Sequence, residues 1–89
     1  MSEPYLEMTY RHGRPLAAYL FLPRRRGDKS CRTRRVEPGL VIDFGRGGRA
    51  IGIEITAPGA LTLTGLNRVL RSLGFPAMKK ADLRPLLAA

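Results

Sequence analysis

Ile51, Ile53 and Ile55 alternate with Gly52 and Glu54, and this period of two constrains the chain more than any other feature. On a helix Ile53 would fall on the side opposite Ile51 and Ile55. On a strand they line one face. Just upstream, Leu40-Val41-Ile42-Asp43-Phe44 puts Leu40, Ile42 and Phe44 on one face of a second strand. Gly45-Arg46-Gly47-Gly48 between the two strands supplies a tight hairpin loop in which glycine takes positive φ. The apolar faces of the paired strands must coincide, since a slip by one residue turns three isoleucines outward. The natural pairing is Phe44 with Arg49, Ile42 with Ile51 and Leu40 with Ile53.

Three more strands precede this hairpin. Residues 5–11 place Leu6, Met8 and Tyr10 on one face, and His12-Gly13-Arg14-Pro15 carries turn residues. Residues 16–22 point Leu16, Ala18, Leu20 and Leu22 one way and Ala17, Tyr19 and Phe21 the other. A strand apolar on both sides is central, or its second face is covered. After Pro23, residues 24–30 form a charged loop that turns at Gly27-Asp28. A third strand runs from Cys31 to Val36, and Pro38-Gly39 is the next turn.

Ala57-Pro58-Gly59 ends the sheet and a helix follows. Thr62 is its N-cap, because Leu61 and Leu66 then meet as a hydrophobic staple. Leu63, Leu66, Val69, Leu70 and Leu73 make the apolar stripe, and Arg68, Arg71 and Ser72 face outward. Gly74 followed by Phe75 predicts a Schellman end with Phe75 against Leu70. Ala81–Leu87 predicts a short final helix, with Pro85 tolerated in its first turn. The fold class is therefore α+β: an antiparallel β-meander of about five strands packed against one C-terminal helix. Residues 1–61 form the sheet core and 62–89 the helical extension of a single domain. The helix covers the Leu40/Ile51/Ile53 face. Tyr19, Phe21 and Val41 need cover from the C-terminal segment or from a second subunit.

The chain has 89 residues, enough for one domain. A compact body of that size has a radius of gyration of about 12 Å. With no Trp, three Phe and three Tyr, its core must be aliphatic. The single cysteine, Cys31, excludes an internal disulfide and a cysteine-based zinc site, and fits a reducing cytoplasm. The N-terminal residues carry no signal-peptide pattern, and the longest apolar run, Leu16–Pro23, is far short of a membrane span.

Val36-Glu37-Pro38-Gly39-Leu40-Val41-Ile42-Asp43-Phe44 together with Gly48-Arg49-Ala50-Ile51-Gly52-Ile53-Glu54-Ile55 resembles a widespread family of small bacterial proteins, domain of unknown function 2283. Tyr10, Ala18-Tyr19-Leu20 and Leu22 fit that family's opening hairpin. The resemblance covers residues 5–60. It implies an α+β fold and, from the toxin-like genes beside some members, an antitoxin-like or partner-binding role. It implies no catalytic residues. The arginine-rich stretch 24–35 departs from the neutral or acidic family pattern.

The net charge of +9 favours polyanions. Arg24, Arg25, Arg26, Lys29, Arg32, Arg34 and Arg35 crowd into a dozen residues against Asp28 alone. Guanidinium groups fork onto phosphate with two donors, so the cluster reads as a nucleic-acid footprint. The plainer alternative is a solvated loop. Arg32 and Arg34 share one face of the third strand. Aromatic residues, which a single-strand platform needs, are missing from the segment. Asp43 and Glu54 invite a paired-carboxylate reading, but the hairpin register separates them by roughly 13 Å at about 3.3 Å per residue. A role on the sheet surface, paired with arginine, fits them better. The lone His12 reads as an exposed turn residue and Cys31 as a structural strand residue. An enzyme would need a pocket bringing His12 near Asp43. No cofactor or metal motif is read.

Two functions follow. One is a non-enzymatic cytoplasmic interaction module, homodimeric or bound to a protein partner, using Tyr19, Phe21 and Val41. The other is a nucleic-acid binder acting through residues 24–35.

Overall fold

The computed structural model of the chain describes residues 5–23, 27, 29–37 and 39–84. Five antiparallel strands form one sheet: β1 (Tyr5–Arg11), β2 (Arg14–Phe21), β3 (Arg32–Glu37), β4 (Leu40–Phe44) and β5 (Ala50–Ile55). Their spatial order is β1-β2-β5-β4-β3. Three of the four pairings are hairpins between successive strands, as in a meander. The fourth joins β2 to β5 and leaves β3 at the edge. A 3-10 turn at Pro58–Ala60 leads to the helix α1 (Leu63–Ser72). The class is α+β, with a radius of gyration of 12.5 Å.

The main apolar core lies on one side of the sheet. Ala18, Leu20 and Leu22 of β2 and its exit join Leu40, Ile42 and Phe44 of β4 and Ile53 and Ile55 of β5. Leu66, Val69 and Leu70 of α1 close over them. The cap of α1 is the one its sequence specifies: the Thr62 side chain accepts from Gly65 N at 3.0 Å. Its C-terminus is a Schellman motif, with Phe75 N on Leu70 O at 2.9 Å, Gly74 N on Arg71 O at 3.1 Å and Gly74 at φ +83°.

Four expectations are corrected. The β4–β5 pairing is Leu40 with Ile55 and Ile42 with Ile53, two residues from the register read in the sequence. Two small departures add up to that shift. Gly45 N donates to Arg49 O at 2.8 Å, so the loop holds three residues instead of four. Phe44 then pairs with Ala50 and Asp43 with Gly52, which leaves Ile51 as a bulge residue. Ile51 is buried but lies outside the main cluster, against Gly45.

The first turn is only His12-Gly13, at φ +52° and +76°, so β2 begins at Arg14. A second bulge, where Tyr10 pairs with Pro15 and Thr9 with Ala17, turns Leu16 out to 51% exposure and Tyr10 to 54%. β3 begins at Arg32, one residue after Cys31, and reaches Glu37. The expected final helix is not seen among the described residues: a 3-10 turn at Lys80–Leu83 leads into a helical Arg84, and residues 85–87 lie outside the described residues. Leu83 is fully buried in the same core that α1 covers, so the segment through Arg84 packs on the helix side and leaves the opposite face open. Asn67 holds this segment to α1: its amide donates to Met78 O at 3.1 Å and its Oδ1 accepts from Met78 N at 2.8 Å.

Candidate nucleic-acid interface

β2 and β4 run in the same direction, both antiparallel to β5. The exit of β2, the entry of β3 and the β4–β5 loop therefore share one end of the sheet. The β2–β3 connection crosses the ends of β5 and β4 there. Leu22 N on Ile51 O at 3.1 Å fixes one end of this connection, and Cys31 N on Phe44 O at 2.8 Å fixes the other. The connection passes close to Gly45: a Cβ there would stand 3.7 Å from Lys29 O, an ordinary contact distance.

This crossing gathers basic residues that are distant in sequence. Lys29, Arg46 and Arg49 are all exposed at this end. The local sequence favours a tight hairpin for Gly45–Arg49 over a phosphate-cradling loop, and so gives Arg46 and Arg49 no link to Lys29. Their approach to Lys29 follows from the β2–β5 pairing, which no local pattern encodes. Arg24, Arg25, Arg26 and Asp28 belong to the same connection and lie outside the described residues.

Arg32 and Arg34 share a face of β3, as the alternation predicts, and both guanidinium groups lie over the Phe44 ring, at 5.0 and 5.4 Å from its centroid. Two cations on one ring are held close together by cation–π attraction, while their N–H edges stay exposed to solvent. Arg35, opposite Val41, points to the other face.

That other face carries the predicted interface. Tyr19, Glu54, Val41 and Arg35 form one row across β2, β5, β4 and β3. Tyr5, Phe21, Gly52, Asp43 and Thr33 form the next, nearer the basic end. Tyr19, Phe21 and Val41 are half-buried and share the face as expected. Sequence reasoning missed Tyr5, which is 46% exposed and stacks on Phe21 with centroids 4.5 Å apart and planes 12° from parallel. Tyr19 meets Phe21 edge-on at 4.6 Å. The signal for Tyr5 is its pairing opposite Phe21, which needs both the short His12-Gly13 turn and the bulge at Leu16.

The carboxylates also differ from expectation. In the observed register Asp43 and Glu54 are diagonal neighbours, at a spacing of about 7–8 Å instead of 13 Å. Asp43 accepts the Tyr19 hydroxyl at 2.7 Å, where an arginine partner was expected. Among the described residues the ion pair present is Arg68 with Glu37, at 3.0 Å and largely exposed. His12 sits at the far end of the β1–β2 hairpin. β2 meets the row of Asp43 at Phe21, roughly 20 Å along the strand from the His12 turn. Between Glu37, Leu40, Ala57 and Leu66 is a cavity of about 30 Å³, room for a water. Among the described residues no three His, Cys, Asp or Glu side chains converge as a metal site, and no helix is long and apolar enough to cross a membrane.

No family model, no curated protein and no solved structure matches this chain. The resemblance to the family named above rests on the quoted residues alone.

Proposed function

We propose that this protein is a non-enzymatic, cytoplasmic nucleic-acid-binding module that holds the phosphate backbone at the basic end of its sheet. One observation carries the reading. The β2–β3 crossing brings Lys29 and Arg32 beside Arg46 and Arg49, and the one described carboxylate near that end, Asp43, is engaged by Tyr19. Arg32 and Arg34, pinned on Phe44, supply two guanidinium edges for phosphate. Among the described residues no helix or loop is shaped to enter a groove and read bases, so binding is electrostatic and weakly selective for sequence.

The test is fluorescence anisotropy with labelled RNA and DNA across a salt series. The log–log slope should be about −0.9 per phosphate contact on duplex DNA and about −0.7 on single strands. Arg46→Glu with Arg49→Glu should weaken binding strongly, and Arg24, Arg25 and Arg26 to Glu should do the same. Binding that ignores both salt and these changes would retire the interface.

A second reading is self-association or a protein partner on the open face. It is favoured by Tyr19, Phe21 and Val41, which share one face of the sheet and are only half-buried there. Against it stand Glu54 and Asp43 in the middle of the face and the +9 charge on each copy. Light scattering after size exclusion distinguishes a concentration-dependent dimer from a monomer.

A further inference from the structure

We infer that the ligand is single-stranded nucleic acid, with an unpaired base stacked on Tyr5. This rests on the proposed function and names its substrate class. Phosphate contacts alone do not separate duplex from single strand. Exposed aromatic rings beside a basic groove do, because every unpaired base has a face to stack and a paired base does not offer one.

The structure places such a ring at the border of the basic end. Tyr5 lies on the open face with Phe21 stacked beside it, so the ring is held flat from one side. Tyr19 buttresses Phe21 edge-on, and Tyr19 is itself tied to Asp43. The platform is therefore ordered before a ligand arrives, and little side-chain entropy remains to be lost. Tyr5 keeps 46% of its surface exposed.

Charge adjoins the platform on the side where a backbone would run. The row of Tyr5 and Phe21 adjoins the end of the sheet where Lys29, Arg46 and Arg49 are exposed. Across the sheet, Gly52 opposite Phe21 is three residues from Arg49. From β1 at one edge to β3 at the other is four inter-strand spacings, about 19 Å. Tyr5 and the Arg32–Arg34 pair lie on opposite faces, so a single strand with one base on Tyr5 would pass round the end of the sheet, by Lys29, Arg46 and Arg49, to reach that pair. The hairpin tip, where Tyr10 and Leu16 are also exposed, carries Arg11 and Arg14 but, among the described residues, no ring stacked on Tyr10.

The experiment compares a labelled 12-nucleotide oligothymidine, a 12-base-pair duplex and heparin as ligands for the full-length protein and its Tyr5→Ala and Tyr5→Phe variants. The inference expects Tyr5→Ala to lose about five- to 150-fold in oligothymidine affinity, the range for one stacked base. It expects no change with duplex or heparin, and near wild-type behaviour from Tyr5→Phe. Stacking should also quench tyrosine fluorescence in the wild type but much less in Tyr5→Phe. Circular dichroism and thermal melting check that the variants are folded. Equal losses on all three ligands, or none on the oligonucleotide, would overturn the stacking inference and leave the electrostatic reading standing. Failure of the wild type to bind any of the three would end both, as would a Tyr5-dependent dimer that binds no polyanion.

Discussion

The Tyr19 hydroxyl donates to Asp43 Oδ2 at 2.7 Å by reaching from β2 over β5 to β4. The ring passes above Gly52, which has no side chain to obstruct it. A Cβ at Gly52 would overlap the Tyr19 ring and hydroxyl.

Gly52→Ala should therefore displace the ring and destabilise the protein by about 1–3 kcal/mol, the usual cost of overpacking. In a Tyr19→Ala background the same change should cost much less. Chemical denaturation of the four proteins gives the coupling directly, and additive losses would disprove the contact. Tyr19→Phe alone should lose about 1.5–3 kcal/mol, the range for a hydrogen bond to a charged group, and less if water replaces the hydroxyl.

Arg34→Ala should weaken polyanion binding while costing only about 0.5–1 kcal/mol of stability, the scale of an exposed cation–π contact. Arg34→Lys keeps the charge but loses the planar group that lies on Phe44. It should bind less tightly than wild type at the same salt slope. Isothermal titration with an oligonucleotide separates the two variants.

Leu83→Ala should cost about 2–5 kcal/mol, as for other buried leucines, although Leu83 lies near the end of the chain. Urea denaturation followed by circular dichroism and tyrosine fluorescence should give one shared midpoint, because Leu83 packs in the same core as the sheet. Two separate transitions would show the tail to be an independent unit.

The ends of α1 are separable targets. Thr62→Ala should lose about 0.5–2 kcal/mol with the hydrogen bond to Gly65 N. Gly74→Ala should lose about 1 kcal/mol, because alanine resists the left-handed conformation of φ +83°. Thermal melts of both variants measure these losses.

The legible parts of the fold are those written locally. Thr62, Leu61 and Leu66 mark the start of α1, and Gly74 and Phe75 mark its end, with no knowledge of the rest of the chain. The facing of Leu40, Ile42, Ile53 and Ile55 follows from alternation alone. The misread parts depend on bulges. Leu16 and Ile51 sit in runs that look regular, and nothing in their residue types marks them as the extra residue in a ladder. The candidate site suffers more, because it is assembled by topology. Arg46 and Arg49 join Lys29 only once β2 is known to pair with β5, and Tyr5 meets Phe21 only once both the two-residue first turn and the bulge at Leu16 are known. Arg32 and Arg34 were legible as a pair, but the ring beneath them was not.

The repeat Ile51-Gly52-Ile53-Glu54-Ile55 leaves an ambiguity that oily burial cannot resolve: sliding β5 by two positions keeps isoleucines inward. Such a slide would bring Glu54 or Ala50 under the tyrosine that crosses from β2, and both carry side chains where the ring must lie. Gly52 thus works as a notch that admits the crossbar at one alignment only, so three strands are keyed together by the single position in β5 that has nothing to bury.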